Sequence, residues 1–235
     1  MNNKVWLYLF FIDLLVELLA IANNWSSVGM VTKPLLMTTL AAWFLFSSNG
    51  YSAIRYYTIF ALFFSWLGDI LLMMEEKDPM YFIAGLSSFL AAHIIYIFFF
   101  LRVRKSMPDK KPWNIFLISA VAVYTIALFF LLNPHLGNLK IPVLAYAIII
   151  SVMLVCAMHT FSLNNKRAAY WWLTGAVLFI TSDSLLAFNK FYHHFPIAGF
   201  AIMSTYGLAQ FAIANGSLQY LAMVKFSPAS VQPYN

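Results

Sequence analysis

IRYYTIFALFFSWLGDILLMM, residues 54–74, carries two charges, Arg55 at its start and Asp69 near its end. A helix of this length crosses about 30 Å of hydrocarbon. An ionised carboxylate inside such a helix costs on the order of 2.5 to 3.5 kcal/mol, so Asp69 is expected to face a polar cavity and to have a function. The stretch also has a copy. Gly68-Asp69-Ile70-Leu71-Leu72-Met73 matches Ser182-Asp183-Ser184-Leu185-Leu186-Ala187 without a gap at an offset of 114 residues, and Ile83-Ala84-Gly85 matches Ile197-Ala198-Gly199 at the same offset. Asp69 and Asp183 are therefore a pair.

The rest of the chain has the same character. Of its 235 residues 63% are hydrophobic, 18% aromatic and 9% charged, too little polar surface for a soluble domain. Eight apolar segments are long enough to span a bilayer: about 4–22, 31–48, 54–74, 80–101, 113–132, 141–159, 168–188 and 196–222. Asn49-Gly50, Asp78-Pro79, Asn133-Pro134 and Phe195-Pro196 punctuate their ends. The expected fold is an all-α polytopic membrane bundle of eight transmembrane helices: one transmembrane domain over 1–226 and a short polar tail over 227–235. Ala20-Ile21-Ala22 looks like a signal-peptide cleavage site, but Asp13 and Glu17 would fall in its apolar region, so the first segment is read as a retained helix. The single Cys156 lies in an apolar run and reads as a buried side chain.

Positive charge assigns the sides. With an even number of helices, both termini and the second, fourth and sixth loops share one face. That face holds Lys4, Arg55, Arg102, Arg104, Lys105, Lys110, Lys111, Lys166, Arg167 and Lys225, against Lys33, Lys77, Lys140 and Lys190 on the other. The split of ten to four predicts cytoplasmic N- and C-termini for an integral protein, in a bacterium one of the inner membrane. The basic loop from Arg102 to Lys111 reads as a topology signal that meets anionic headgroups, and no nucleic-acid partner is expected. Four helices separate the two copies of the repeat, so the halves run in the same sense and predict a 4+4 parallel internal repeat, an arrangement also found in transporters.

Depth follows from a rise of 1.5 Å per residue. Glu17, Asp69 and Asp183 each fall about five residues before the outer end of their helices, roughly 8 Å below the surface. Lys33, beginning the second helix on that side, can pair with one of them. One acidic pocket open to the outer face is expected. Asp13 shares a helix face with Glu17, and His93, with Tyr96 nearly a turn beyond it, lies about 20 Å into the fourth helix. His193 and His194, beside Tyr192, read as interfacial anchors. There is no HExxH, CxxC, G-x-S-x-G or P-loop, and the five histidines form no facing i, i+4 pair, so neither a metal nor another cofactor is expected. A nucleophilic role for Ser182 is disfavoured because no histidine is expected at its depth.

Taken in order, these residues resemble the YhhN family of lysoplasmalogenase-like integral membrane proteins. The resemblance rests on Lys33-Pro34-Leu35 opening the second helix; Gly68-Asp69 with Leu71-Leu72-Met73; Gly85 with Phe89, His93 and Tyr96; Gly175-Ala176 with Phe179, Ser182-Asp183 and Ala187; and Tyr206 with Gln210. It implies an eight-helix hydrolase that cleaves the vinyl ether bond of lysoplasmalogens to a fatty aldehyde and a glycerophospho-headgroup.

The residues suit that chemistry independently. A vinyl ether is cleaved when an acid protonates the carbon beta to oxygen, and two carboxyl groups, one protonated and one ionised, can donate that proton and stabilise the resulting cation. Asp69 and Asp183 are the expected catalytic pair, their roles interchangeable at this stage. Lys33 is expected to bind phosphate, and Glu17, His93, Tyr96, Ser182, Tyr206 and Gln210 to line or shape the pocket. The expected partners are a lysophospholipid substrate and membrane lipids. A proton-coupled carrier using the same aspartates is the competing class.

Overall fold

The computed structural model describes residues 3–107, 111–161 and 166–225. Eight helices follow one another: α1 (Asn3–Ala22), α2 (Ser26–Ser47), α3 (Arg55–Met73), α4 (Met80–Lys105), α5 (Ile115–Leu132), α6 (Lys140–Met158), α7 (Lys166–Ala187) and α8 (Ala198–Lys225). Two short 3-10 turns, Asn133–His135 and Gly137–Leu139, join α5 to α6. There are no strands among the described residues. The expected tail, 227–235, and Lys110 lie outside the described residues.

Seven of the helices, α1 to α7, are long and apolar enough to cross a membrane, and the chain is an integral membrane protein. The eighth is longer still, 28 residues, about 42 Å at the helical rise, but less apolar. It packs against α1, α2, α3 and α7, so Gln210 and Ser217, both fully buried, find their partners in protein and not in lipid. α5 is the opposite case: Phe116, Val123, Ile126 and Phe130 are all largely exposed, and α6 is its principal helical neighbour.

Close helix approach depends on missing side chains. A Cβ at Gly68 would stand 2.7 Å from the ring of Phe89 on α4, and one at Gly175 would stand 2.6 Å from Ile213 and 2.9 Å from the Ala209 carbonyl on α8. Small residues at such contacts let backbones pack where no hydrophobic effect drives helices together. The other close neighbours are α1 with α2, α2 with α3, α4 with α6, and α6 with α7.

Three helix ends lie four or more residues from the sequence expectation, and two of them move a functional residue. α2 begins at Ser26, not at 31: the amides of Val28 and Gly29 already bond the Trp25 carbonyl. Pro34, in the Lys33-Pro34-Leu35 stretch expected to open the helix, sits inside it. Lys33 is thereby seven residues, about 10 Å, below the helix start. α4 runs to Lys105, with Arg102, Arg104 and Lys105 in its last turn, where cations complement the helix dipole. α7 continues into a π-helical turn, Phe188–Tyr192. Asp183 therefore lies nine residues, not five, before the end of the helical body, about 14 Å down.

Candidate active site

Asp69 lies on α3, 4% exposed, and accepts the hydroxyl of Tyr206 from α8 on Oδ2 at 2.7 Å. The Tyr206 ring is held edge-on between Phe89 and Phe179, so the carboxylate is fixed by a residue that packing has already fixed.

Asp183 lies on α7, its side chain 15% exposed. The Tyr146 hydroxyl of α6 donates to its Oδ2 at 2.5 Å, and His93 Nε2 of α4 lies 3.4 Å from the same oxygen and 2.9 Å from the Tyr146 oxygen. A tyrosine hydroxyl has one proton, so with Asp183 ionised and that proton directed at the carboxylate, His93 donates from Nε2. Its Nδ1 is then a buried lone pair with no partner among the described residues.

This meeting corrects the depth assigned to Asp183; His93 keeps its expected place, 13 residues or about 20 Å into α4. It stands level with Asp183, because the π-helical turn extends α7 outward and lowers Asp183 relative to the helix end. A histidine is thus near Ser182 after all, but the Ser182 hydroxyl, 1% exposed, donates to the Ile202 carbonyl at 3.0 Å and ties α7 to α8.

Tyr96 and Gln210 form a separate interior link. The Tyr96 hydroxyl donates to Gln210 Oε1 at 3.0 Å, and Gln210 Nε2 donates to Ser65 Oγ at 2.8 Å. All three residues are fully buried, so this network joins α3, α4 and α8. Glu17, 2% exposed, accepts the Thr32 hydroxyl across α1 and α2.

The expected single pocket is divided among the described cavities. Lys33 and Glu17 line one beside the α1–α2 turn together with Asn24, Trp25, Gly29 and Glu76. Asp183 lines two narrow apolar grooves, one bounded by α5, α6 and α7 and one reaching α3 and α4. The division follows from the helix ends: the lowered Asp183 falls in an apolar layer of the bundle, and Lys33, lowered by the early start of α2, joins Glu17.

Tyr146, Thr32 and Ser65 were not singled out from the sequence. The available signal for Tyr146 was a lone phenol within the apolar run of α6, but nothing local says that it faces a carboxylate on the next helix.

The family model for the YhhN family matches residues 28–217, a span that contains every expected site residue except Glu17. The chain is 32% identical over 196 residues to a protein of Rattus norvegicus named lysoplasmalogenase TMEM86B, covering 83% of this chain and 75% of that one. It is 29% identical over 196 residues to the Homo sapiens protein of the same name, at 83% and 77% coverage. A Mycobacterium bovis protein named lysoplasmalogenase is 31% identical over 165 residues, 69% of this chain and 60% of that one. No solved structure matches the chain significantly.

Proposed function

We propose a reaction for this chain from the fact that it belongs to the YhhN family: hydrolysis of the vinyl ether bond of a lysoplasmalogen, giving a fatty aldehyde and a glycerophospho-headgroup. The observation that carries the reading is the pair of intramembrane aspartates, Asp69 and Asp183, each with a tyrosine hydroxyl on one oxygen.

One carboxyl group transfers its proton to the carbon beta to the ether oxygen, leaving an oxocarbenium ion. The other, ionised, stabilises that cation and accepts a proton from the water that adds at the carbon next to oxygen. The hemiacetal so formed collapses to aldehyde and alcohol, consuming one water in all. Tyr206 positions Asp69, and Tyr146 with His93 positions Asp183, because each phenol proton points at a single carboxylate oxygen and leaves the other for the reaction. Lys33 in the cavity beside the α1–α2 turn is suited to the substrate phosphate, with Glu17 beside it. Ser182, Tyr96 and Gln210 support the site by holding α3, α4, α7 and α8 in register.

The test is direct. Purified protein in detergent, incubated with choline and ethanolamine lysoplasmalogens, should release fatty aldehyde. Release of fatty acid would point to ester hydrolysis, and no release under any condition would favour a carrier.

The same reading places the termini in the cytoplasm, in a bacterium at the inner membrane, supported by the ten-to-four division of Lys and Arg. It also includes a 4+4 duplication. Contacts of α2 with α3, α3 with α4, and α4 with α6 are matched by those of α6 with α7, α7 with α8, and α8 with α2. Tyr96 and Gln210, 114 residues apart, bond to each other, as equivalent positions do near a twofold axis.

A further inference from the structure

The groove between α5, α6 and α7 has Asp183 as its sole charged lining residue. Leu128, Phe129, Val143, Ala147, Ile150 and Ile180 supply apolar wall. Its hydroxyl groups are already paired: Thr125 with Ser151 at 2.6 Å, Tyr124 with Ser184 at 2.7 Å, and Tyr146 with Asp183. The groove thus offers a chain of methylenes a dry surface with one carboxylate in its wall.

Its position suits entry from the side. α5 packs on α6 and turns Val123, Ile126 and Phe130 outward, and its hydrogen bond to α7 runs from Tyr124 to Ser184. The second groove at Asp183 differs. Phe82, which lines it, is covered by the Lys190 ammonium 4.2 Å from its ring, and Lys190 is also paired with Glu75.

Building on the vinyl ether reaction proposed above, we propose that the α5–α6–α7 groove is the binding site for the single alkenyl chain of the substrate, entered laterally from the bilayer between α5 and α7. The chain lies along the groove with its double bond beside Asp183, and the aldehyde leaves by the same route into the membrane. Water solubility of the product is not required, since the product remains in hydrocarbon throughout.

The test compares chain lengths. Ala147 lines only the α5 side and Leu86 only the α4 side. Ala147→Trp should lower kcat/KM for a long-chain lysoplasmalogen relative to a short-chain one by at least about tenfold, the effect of excluding two or so methylenes from the groove. Leu86→Trp should leave that ratio unchanged. An unchanged ratio in Ala147→Trp, or a shift in Leu86→Trp instead, would overturn the assignment.

A second measurement requires no variant. Wild-type protein in nanodiscs is photolabelled with a lysophospholipid that carries a saturated, uncleavable sn-1 ether and a diazirine at the chain terminus. Label on residues 124–132 and 147–151 supports the groove; label on residues 72–89, or spread over the lipid-facing surface, refutes it. Aldehyde release by the wild type separates the two levels: without it the reaction fails, and with it a misplaced label means that only the groove fails.

Discussion

Replacing Tyr146 by phenylalanine tests the site where the structure adds most to the sequence. The change removes one hydroxyl and little volume, so α6 should pack as before. It deletes the 2.5 Å hydrogen bond to Asp183 Oδ2 and the acceptor that His93 Nε2 meets at 2.9 Å. A hydrogen bond to a charged group contributes about 1.5 to 3 kcal/mol, equivalent to roughly tenfold to 150-fold in rate if all of it is lost from the transition state. His93 can recover part, because its Nε2 already lies 3.4 Å from the same oxygen, so the expected fall in kcat for aldehyde release is about tenfold. KM should stay within about twofold, since Tyr146 orients a reacting group and is not assigned to the headgroup. The decisive comparison is the double variant. If Tyr146 acts through Asp183, adding Tyr146→Phe to Asp183→Asn should cause no further loss. A folded Tyr146→Phe protein with wild-type kcat, or losses that multiply fully in the double variant, would refute the reasoning.

Asp69→Asn and Asp183→Asn should each reduce aldehyde release by at least about a hundredfold with the fold intact, and full turnover in either would remove that residue from the mechanism. Turnover should be slower in D2O and persist in excess chelator, because a proton moves in the transition state and an enol ether needs no Lewis acid; complete inhibition by chelator, reversed by zinc, would refute it. Gln210→Ala should destabilise the protein by roughly 2 to 4 kcal/mol, because it leaves the buried hydroxyls of Tyr96 and Ser65 without their partner. An unchanged thermal midpoint in detergent would show that the interior link contributes nothing to stability.

Much of the bundle was legible because lipid imposes a simple rule. A spanning segment must be helical and mostly apolar, so eight apolar stretches mark eight helices to within a few residues, and a carboxylate within one stands out at once. The exceptions have physical causes. Lys33-Pro34-Leu35 was expected to open the second helix, but the preceding turn already closes on Trp25, without needing the amide that proline lacks. The π-helical turn after Ala187 has no hydrophobic signature that separates it from a loop of the same composition.

The sequence by itself determined the class, the helix count, the family resemblance and the aspartate pair, since each depends on composition or on residues at a fixed offset along the chain. Tertiary structure decided which side chains meet. His93 and Tyr146 come together at Asp183 from helices 53 residues apart in sequence, Tyr206 reaches Asp69 across 137, and Ser182 turns to a backbone carbonyl. In an apolar helix every face is hydrophobic, so the pattern along the chain carries little record of which face turns inward. That choice is made by close approach at positions such as Gly68 and Gly175 and by the need of each buried polar group for a partner.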